Sequence, residues 1–352
     1  PDRLTAMLLR CGGRRRPPPL ERRNSGAVAP RSIHVLRTVD SLVRWRRDLD
    51  GDLGLVPTMG ALHEGHASLL RRARRENGVV AASIFVNPTQ FDPVRDDFDR
   101  YPRHLEADVA ALRDEGVDAV FAPDARELYP CGTEDSFRVV PPAVLERRAE
   151  ATARPGHFAG VATVCAKLLT LARPRRAYFG QKDALQCAVL RRMVRDLHFD
   201  AAFELEVRVC ETVREHDGLA KSSRNAYLSE TERNAAPVVF RALQTARDAW
   251  RAACAKEAED STSIMGVVVP AAPILAAATA VLEAEPLVTE VEYLSLADYD
   301  TMADIDAVPV RRRRNADGIP RQDDETTPVA IISVALKLGT VRLIDNLPFV
   351  AA

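Results

Sequence analysis

Two histidines, His63 and His66, lie three residues apart where an apolar run meets a turn of small residues. The run at residues 53–57 predicts a buried strand, and the apolar and basic periodicity that follows predicts a helix at residues 66–77. A helix N-terminus has unpaired N–H groups and a positive dipole end. The stretch therefore predicts an anion site with both histidines on one face of the helix start.

Two familiar phosphate-binding motifs do not fit this turn. No Gly-Lys-Ser/Thr follows it, and it is not Gly-x-Gly-x-x-Gly. A metal pair or two surface histidines are the alternatives, although no Cys, His or carboxylate cluster nearby completes a zinc set. The motif resembles the His-x-Gly-His signature of the nucleotidyltransferase superfamily, in which the histidines contact nucleotide phosphates.

Composition places the chain among ordinary globular proteins. It has 352 residues, 46% hydrophobic and 28% charged, with a net charge of −1, and this length suits two domains. No apolar run approaches the roughly 20 residues that a spanning helix needs, so we expect no membrane contact. Six cysteines without a Cys-x-x-Cys pair are typical of reduced thiols in an intracellular, here cytoplasmic, protein.

The first residues differ from the remainder. Nine arginines precede Thr38 against Asp2 and Glu21, and residues 1–30 have little apolar periodicity, which predicts a disordered basic extension. An Arg-rich, acid-poor N-terminus also permits a mitochondrial transit peptide.

From residue 31 to residue 209 strands and helices alternate. Strands are predicted at 33–36, 53–57, 79–86, 120–122, 177–179 and 203–209, and helices at 40–49, 66–77, 105–115, 161–171 and 184–197. This alternation predicts an α/β fold, a Rossmann-like doubly wound parallel sheet that binds ligands at the carboxyl ends of its strands.

Residues 210–352 have a different pattern and predict a smaller α+β domain. Helices are expected at 230–256 and 270–284. Antiparallel strands are expected at 288–296, 329–337 and 341–344, with a turn at Gly339. Residues 311–327 are polar and aperiodic, which predicts a mobile surface insertion.

Three further segments carry polar groups after predicted strands. Asn87 and Gln90 supply neutral donors and acceptors for a small polar ligand, or form an ordinary Asn-Pro turn. Lys182 begins a helix, where its charge suits phosphate or merely solvent. Ser222, Ser223 and Arg224 suit a phosphate-closing loop, or a helix cap beside a surface arginine.

The order of these motifs carries more information than any one of them. Along the chain run Pro-Thr-Met-Gly-Ala-Leu-His-x-Gly-His, Phe-Val-Asn-Pro-x-Gln-Phe, Gly-His-Phe-x-Gly-Val, Phe-Gly-x-Lys-Asp and Ser-Ser-Arg-Asn-x-Tyr-Leu. Together they resemble the pantothenate synthetase (pantoate–β-alanine ligase) family, from about residue 33 to residue 346.

The resemblance implies a reaction in two steps. ATP activates pantoate to pantoyl adenylate with release of pyrophosphate, and β-alanine then displaces AMP to give pantothenate. It also implies Mg²⁺ with the ATP rather than a metal site of the protein, a C-terminal lid domain at residues 210–352 and a homodimer.

The resemblance also implies the site residues. His66, as proton donor, and His63, Lys182 and Arg224, as partners of the phosphates, would be catalytic. ATP would contact Met59, Gly60, Ala61, Leu62, His63, Glu64, Gly65, His66, Gly180, Gln181, Lys182, Asp183, Val213, Lys221, Ser222, Ser223 and Arg224. Pantoate and β-alanine would contact Gln90, Gln186 and Asn87. Gln181, Leu185 and Lys221 depart from the usual family pattern.

Two other classes of function remain open. One is another adenylyltransferase of the superfamily, against which Asn87, Gln90 and Gln186 argue. The other is a nucleic-acid-binding protein that uses the basic N-terminus. Those arginines lack interleaved aromatic residues and the remainder of the chain is acidic, so we expect no nucleic-acid partner.

Overall fold

The computed structural model describes residues 32–92, 98–260, 267–310 and 328–350. The predicted N-terminal extension and the predicted insertion at residues 311–327 lie outside these residues. Within the described part, no helix is long and apolar enough to cross a membrane.

The first half is built on a parallel sheet of six strands in the order β1-β4-β3-β2-β5-β6. All five pairings between neighbours are parallel. The strands are β1 His34–Leu36, β2 Leu53–Thr58, β3 Val79–Ile84, β4 Ala119–Phe121, β5 Arg176–Gly180 and β6 Glu206–Cys210.

Helices cover both faces of this sheet. They are α1 Val39–Arg47, α2 Glu64–Glu76, α3 Leu105–Asp114, α4 Ala125–Leu128, α5 Ala143–Glu146, α6 Ala149–Ala153, α7 His157–Ala172, α8 Ala184–Asp196 and α9 Phe199–Phe203. Leu53 and Leu55 pack into the core that contains α7 and α8. Val56, the residue after Leu55, packs on the opposite face of the sheet with α2 and α3. Burial on both faces explains why β2 is apolar at nearly every position.

The second half, as far as the structure describes it, holds two antiparallel sheets and three helices. These elements are α10 Glu230–Ala235, α11 Val238–Asp260, β7 Val268–Pro270, α12 Ala271–Glu283, β8 Val288–Asp298, β9 Ala307–Pro309, β10 Pro328–Leu338 and β11 Val341–Val350. Strand β10 lies between β11 and β8, and β7 pairs with β9. Trp250 of α11 stacks on Phe349 of β11, with ring centroids 4.9 Å apart.

The predicted fold class is confirmed, and two element predictions were wrong. The single helix expected at residues 230–256 is two helices, α10 and α11, because Pro237 lies between them and has no N–H to donate. The strand expected from Phe203 begins at Glu206, because Phe203 ends α9 and Glu204 then adopts a left-handed φ of 53°. The domain boundary at residue 209 stays a prediction. The hydrophobic core that contains α7 and α8 also includes Ala297, Met302 and Ile331 from the second half of the chain.

Candidate active site

A cleft of about 260 Å³ opens at the carboxyl ends of β2, β3, β5 and β6. This is the edge at which a parallel sheet binds ligands. The predicted site residues that line it are Met59, His63, Gly65, His66, Gln90, Gly180, Lys182, Asp183, Gln186, Val213, Lys221, Ser222, Ser223 and Arg224. Six others, all among the described residues, do not line it: Gly60, Ala61, Leu62, Glu64, Asn87 and Gln181.

The two histidines cap helix α2. Nδ1 of His63 accepts a hydrogen bond from the Gly65 N–H at 3.1 Å, and Nδ1 of His66 accepts one from the His63 N–H at 3.3 Å. The ring centroids lie 4.2 Å apart. With both Nδ1 atoms accepting, each neutral ring carries its proton on Nε2. Each histidine therefore has an Nε2–H group with which to donate a hydrogen bond.

Burial and neighbouring cations keep both rings neutral. Burial and then the proximity of His63 lower the pKa of His66 from 6.5 to about 3. Burial, followed by Lys182 and Lys221, lowers the pKa of His63. The rings are thus hydrogen-bond donors at neutral pH, and the positive charge near them comes from the lysines.

The turn between β2 and α2 does not offer all of its N–H groups to a ligand. The carboxylate of Asp108 accepts hydrogen bonds from Ala61 N–H at 3.0 Å and from Leu62 N–H at 2.9 Å. The Gly65 N–H is taken by His63. Three N–H groups of this turn and helix start thus have protein partners, and the anion site predicted at the helix start stays a prediction.

Asn87 is buried and holds Gln90 in place by a hydrogen bond. It is 1% exposed, and its Nδ2 donates to Gln90 Oε1 at 3.1 Å and to the Gly160 carbonyl at 3.2 Å. Its Oδ1 accepts from the Tyr129 hydroxyl at 2.8 Å. The Asn87 side chain thus has hydrogen-bond partners within the protein, and Gln90 is the residue of this pair that lines the cleft.

His157 supports the same segment and was missing from the predicted set of site residues. Its Nδ1 lies 2.8 Å from the Gln90 carbonyl oxygen, which can only accept, so this nitrogen carries the proton. Its Nε2 lies 3.0 Å from a guanidinium nitrogen of Arg154. Burial and then the Arg154 charge lower the pKa of His157 to about 4. The Gly-His-Phe motif was the available signal for this residue.

Lys182 lies on a turn that the second half of the chain holds. The Asn346 amide donates to the carbonyls of Gln181 at 2.9 Å and Lys182 at 2.8 Å. The Gln181 side chain is 8% exposed and lies between Asn346 at 3.3 Å and the Tyr299 hydroxyl at 3.0 Å. Gln181 therefore braces the turn, while Lys182 lines the cleft.

The segment from Val213 to Arg224 forms the facing wall. Lys221 forms an ion pair with Glu215 at 2.9 Å, and its N–H donates to the Val213 carbonyl at 2.9 Å. The Ser222 hydroxyl accepts from the Arg224 N–H at 3.3 Å. Arg224 thus joins Lys182 and Lys221 as a cation lining the cleft.

Glu64 points away from this wall toward Arg71, to which it is paired at 2.5 Å. No group of three or more His, Cys, Asp or Glu in the part of the chain that the structure describes could hold a metal ion.

One protein family matches most of this chain. The sequence model of the family described as Pantoate-beta-alanine ligase matches residues 32–348. A pantothenate synthetase of Roseiflexus sp. (strain RS-1) is 46% identical over 314 residues, 89% of this chain and 98% of that protein.

Two crystal structures extend the likeness to the fold. A pantothenate synthetase from Thermus thermophilus is 42% identical and has a TM-score of 0.72 over 90% of this chain and 99% of that one. A pantoate-beta-alanine ligase from Francisella tularensis, complexed with β-γ ATP and β-alanine, is 28% identical, with a TM-score of 0.63 over 90% and 98%. With the family model spanning residues 32–348, this chain is an enzyme of the pantoate–β-alanine ligase family.

Proposed function

We propose that this enzyme condenses pantoate with β-alanine through a pantoyl-adenylate intermediate and releases pyrophosphate and then AMP. The observation that carries the proposal is that one cleft brings together two chemical sets of side chains. Two neutral imidazole donors and three cations (Lys182, Lys221 and Arg224) form one set, and the neutral amides of Gln90 and Gln186 form the other.

The imidazole donors and the cations suit a triphosphate. In the first step a carboxylate oxygen of pantoate bonds to the α-phosphorus of ATP, and the bond from that phosphorus to the β-phosphate bridging oxygen breaks. Negative charge moves onto pyrophosphate. Lys182 and Arg224 would offset that charge, and the Nε2–H groups of His63 and His66 would donate hydrogen bonds to phosphate oxygens.

The two amides suit a small hydroxy acid. Gln90 and Gln186 can donate to a carboxylate and exchange hydrogen bonds with hydroxyl groups. As neutral groups they do not compete with phosphate for the lysines. They would hold the pantoate carboxylate beside the α-phosphorus, and such positioning is itself a large part of catalysis.

In the second step the amine nitrogen of β-alanine bonds to the acyl carbon, and the bond from that carbon to the phosphate oxygen breaks. AMP leaves, and the nitrogen gives up a proton to form the amide. Gln90 would contact β-alanine as well as pantoate. Mg²⁺ would accompany the ATP phosphates, and the enzyme would act as a homodimer.

A pyrophosphate-release assay tests the reaction. With ATP and pantoate alone we expect at most about one pyrophosphate for each enzyme molecule and a bound pantoyl adenylate detectable by mass spectrometry. Turnover and AMP should require β-alanine. A pantoate analogue without the carboxylate is the control and should release none. Pyrophosphate release that ignores pantoate, or that needs a different acceptor, would assign the cleft to another adenylyltransferase reaction.

A further inference from the structure

A buried carboxylate outside the predicted site holds the turn that carries the histidines. Asp108, on helix α3, is 5% exposed. Its two oxygens accept from two consecutive backbone N–H groups, those of Ala61 at 3.0 Å and Leu62 at 2.9 Å. A carboxylate is the one side-chain group of this size that accepts with both ends.

The backbone that Asp108 holds is unusual. Gly60 has a φ of 84°, and Ala61 has a φ of 50°, a conformation that side chains other than glycine rarely adopt. Such a backbone persists only where its surroundings impose it. The paired hydrogen bonds from Asp108 fall on Ala61 itself and on the next residue, which leads directly to the helix cap His63.

The fit between the carboxylate and the turn leaves no spare room. A Cβ atom added to Gly60 would lie 2.8 Å from Oδ2 of Asp108. The turn therefore approaches the carboxylate as closely as a residue without a side chain allows. From Leu62 the chain enters α2, so a change in this turn would shift both Nε2–H donors together.

We infer that Asp108 is a positioning residue for nucleotide binding, which acts by fixing the Gly60–Ala61–Leu62 turn and through it His63 and His66. Asp108 is buried and does not line the cleft, so it would act on the nucleotide through the turn and not by direct contact. The inference rests on the proposed function, because it takes ATP as the ligand of the histidines.

The first test replaces Asp108 by Asn, which has the same shape but only one acceptor oxygen. One of the two backbone N–H groups would then face an amide NH₂, which cannot accept its hydrogen bond. We expect Asp108→Asn to weaken the affinity for ATP by about tenfold or more. The KM for pantoate should change less than the affinity for ATP, because Gln186 lies on α8, outside the turn, and Gln90 reaches only the residue before it, Met59, at 3.2 Å. Asp114→Asn, on the exposed surface of the same helix, is the matched control and should leave the ATP affinity unchanged.

A second variant approaches the contact from the turn. Gly60→Ala places a methyl group against Asp108 and should weaken ATP binding in the same way. Its control is Gly51→Ala, because Gly51 also has a positive φ of 107° but nothing within 4 Å of an added Cβ. Gly51→Ala therefore shares the backbone penalty without touching the carboxylate.

Calorimetry of ATP binding separates positioning from folding. A loss of folded protein lowers the binding stoichiometry and leaves Kd unchanged, whereas a displaced turn raises Kd at full stoichiometry. Should Asp108→Asn fail to fold, Gly60→Ala decides the matter. An unchanged Kd in the folded variants would overturn the inference. Wild-type enzyme that binds no ATP would instead overturn the proposed function.

Discussion

Mild acid should destabilise this enzyme through two partly buried histidines. His66 and His157 are neutral in the folded protein, because burial lowers their pKa values from 6.5 to about 3 and about 4. In the unfolded chain both would take up a proton near pH 6.5. Below that pH the unfolded state binds more protons than the folded state, so the free energy of unfolding falls as the pH falls.

The size of the effect follows from these values. At pH 5 a histidine with a pKa of 6.5 is protonated about thirty times more than it is neutral, so holding it neutral forfeits RT ln 30, about 2 kcal/mol. Both folded pKa values lie below 5, so the result depends little on either. Together His66 and His157 should remove about 4 kcal/mol between pH 7.5 and pH 5. The loss continues until about pH 4 for His157 and about pH 3 for His66.

Urea unfolding at pH 7.5 and pH 5 measures this loss directly. His66→Asn keeps an acceptor near the position of Nδ1, and His157→Asn keeps a donor to the Gln90 carbonyl. Each should shrink the acid-induced loss by about 2 kcal/mol. His34→Gln, on the exposed edge strand β1, is the control and should keep the full loss. A His66→Asn protein with the wild-type loss would show that His66 is not held neutral by burial.

Three further results should follow from the site. His66→Ala should lower the rate of pyrophosphate formation by roughly 10²–10⁴-fold in single-turnover assays, and a folded variant of wild-type rate would make the ring structural. Gln186→Ala should weaken pantoate binding while ATP affinity stays within about threefold, and Lys182→Ala should slow adenylation instead. Calorimetry with each ligand measures the two affinities, and a Gln186→Ala variant that lost ATP binding but kept pantoate binding would contradict these roles. Asn87→Ala should lower the free energy of unfolding by about 1–3 kcal/mol, because the Tyr129 hydroxyl would lose one of its two partners and keep only Thr89, and a variant of unchanged stability that lost only pantoate binding would contradict this.

The sheet could be predicted because its strands are apolar on both faces. Val79–Ile84 has no polar alternation, and helices of similar length separate it from the next strands. In a parallel sheet the polar loops after such strands must meet at one edge. That alone brings His66, Gln90 and Lys182 to a common cleft.

The supports of the site could not be predicted in this way. Asp108 lies 46 residues from Leu62 in the chain, in a helix whose pattern suits an exposed acid. Its role depends on how α3 packs. A substrate contact by Asn87 stays a prediction, but its partners Tyr129 and Gly160 come from distant segments that the local sequence does not indicate. Side-chain hydrogen bonding of this kind is decided by tertiary packing rather than by local pattern.

The bonds from Asn346 to the Gln181 and Lys182 carbonyls bear on protein engineering. Arg214 also forms an ion pair with the buried Asp345 at 2.6 Å, so two neighbouring residues of β11 anchor both cationic walls of the cleft. A chimaera that joined the N-terminal half of one relative to the C-terminal half of another would have to inherit these contacts as a set. The parallel sheet and its loops therefore cannot be transferred alone as a nucleotide-binding module. A recombinant of two relatives should fold only if one parent supplies all four of these residues, or if the two parents supply residues that make the same contacts: Gln181, Arg214, Asp345 and Asn346.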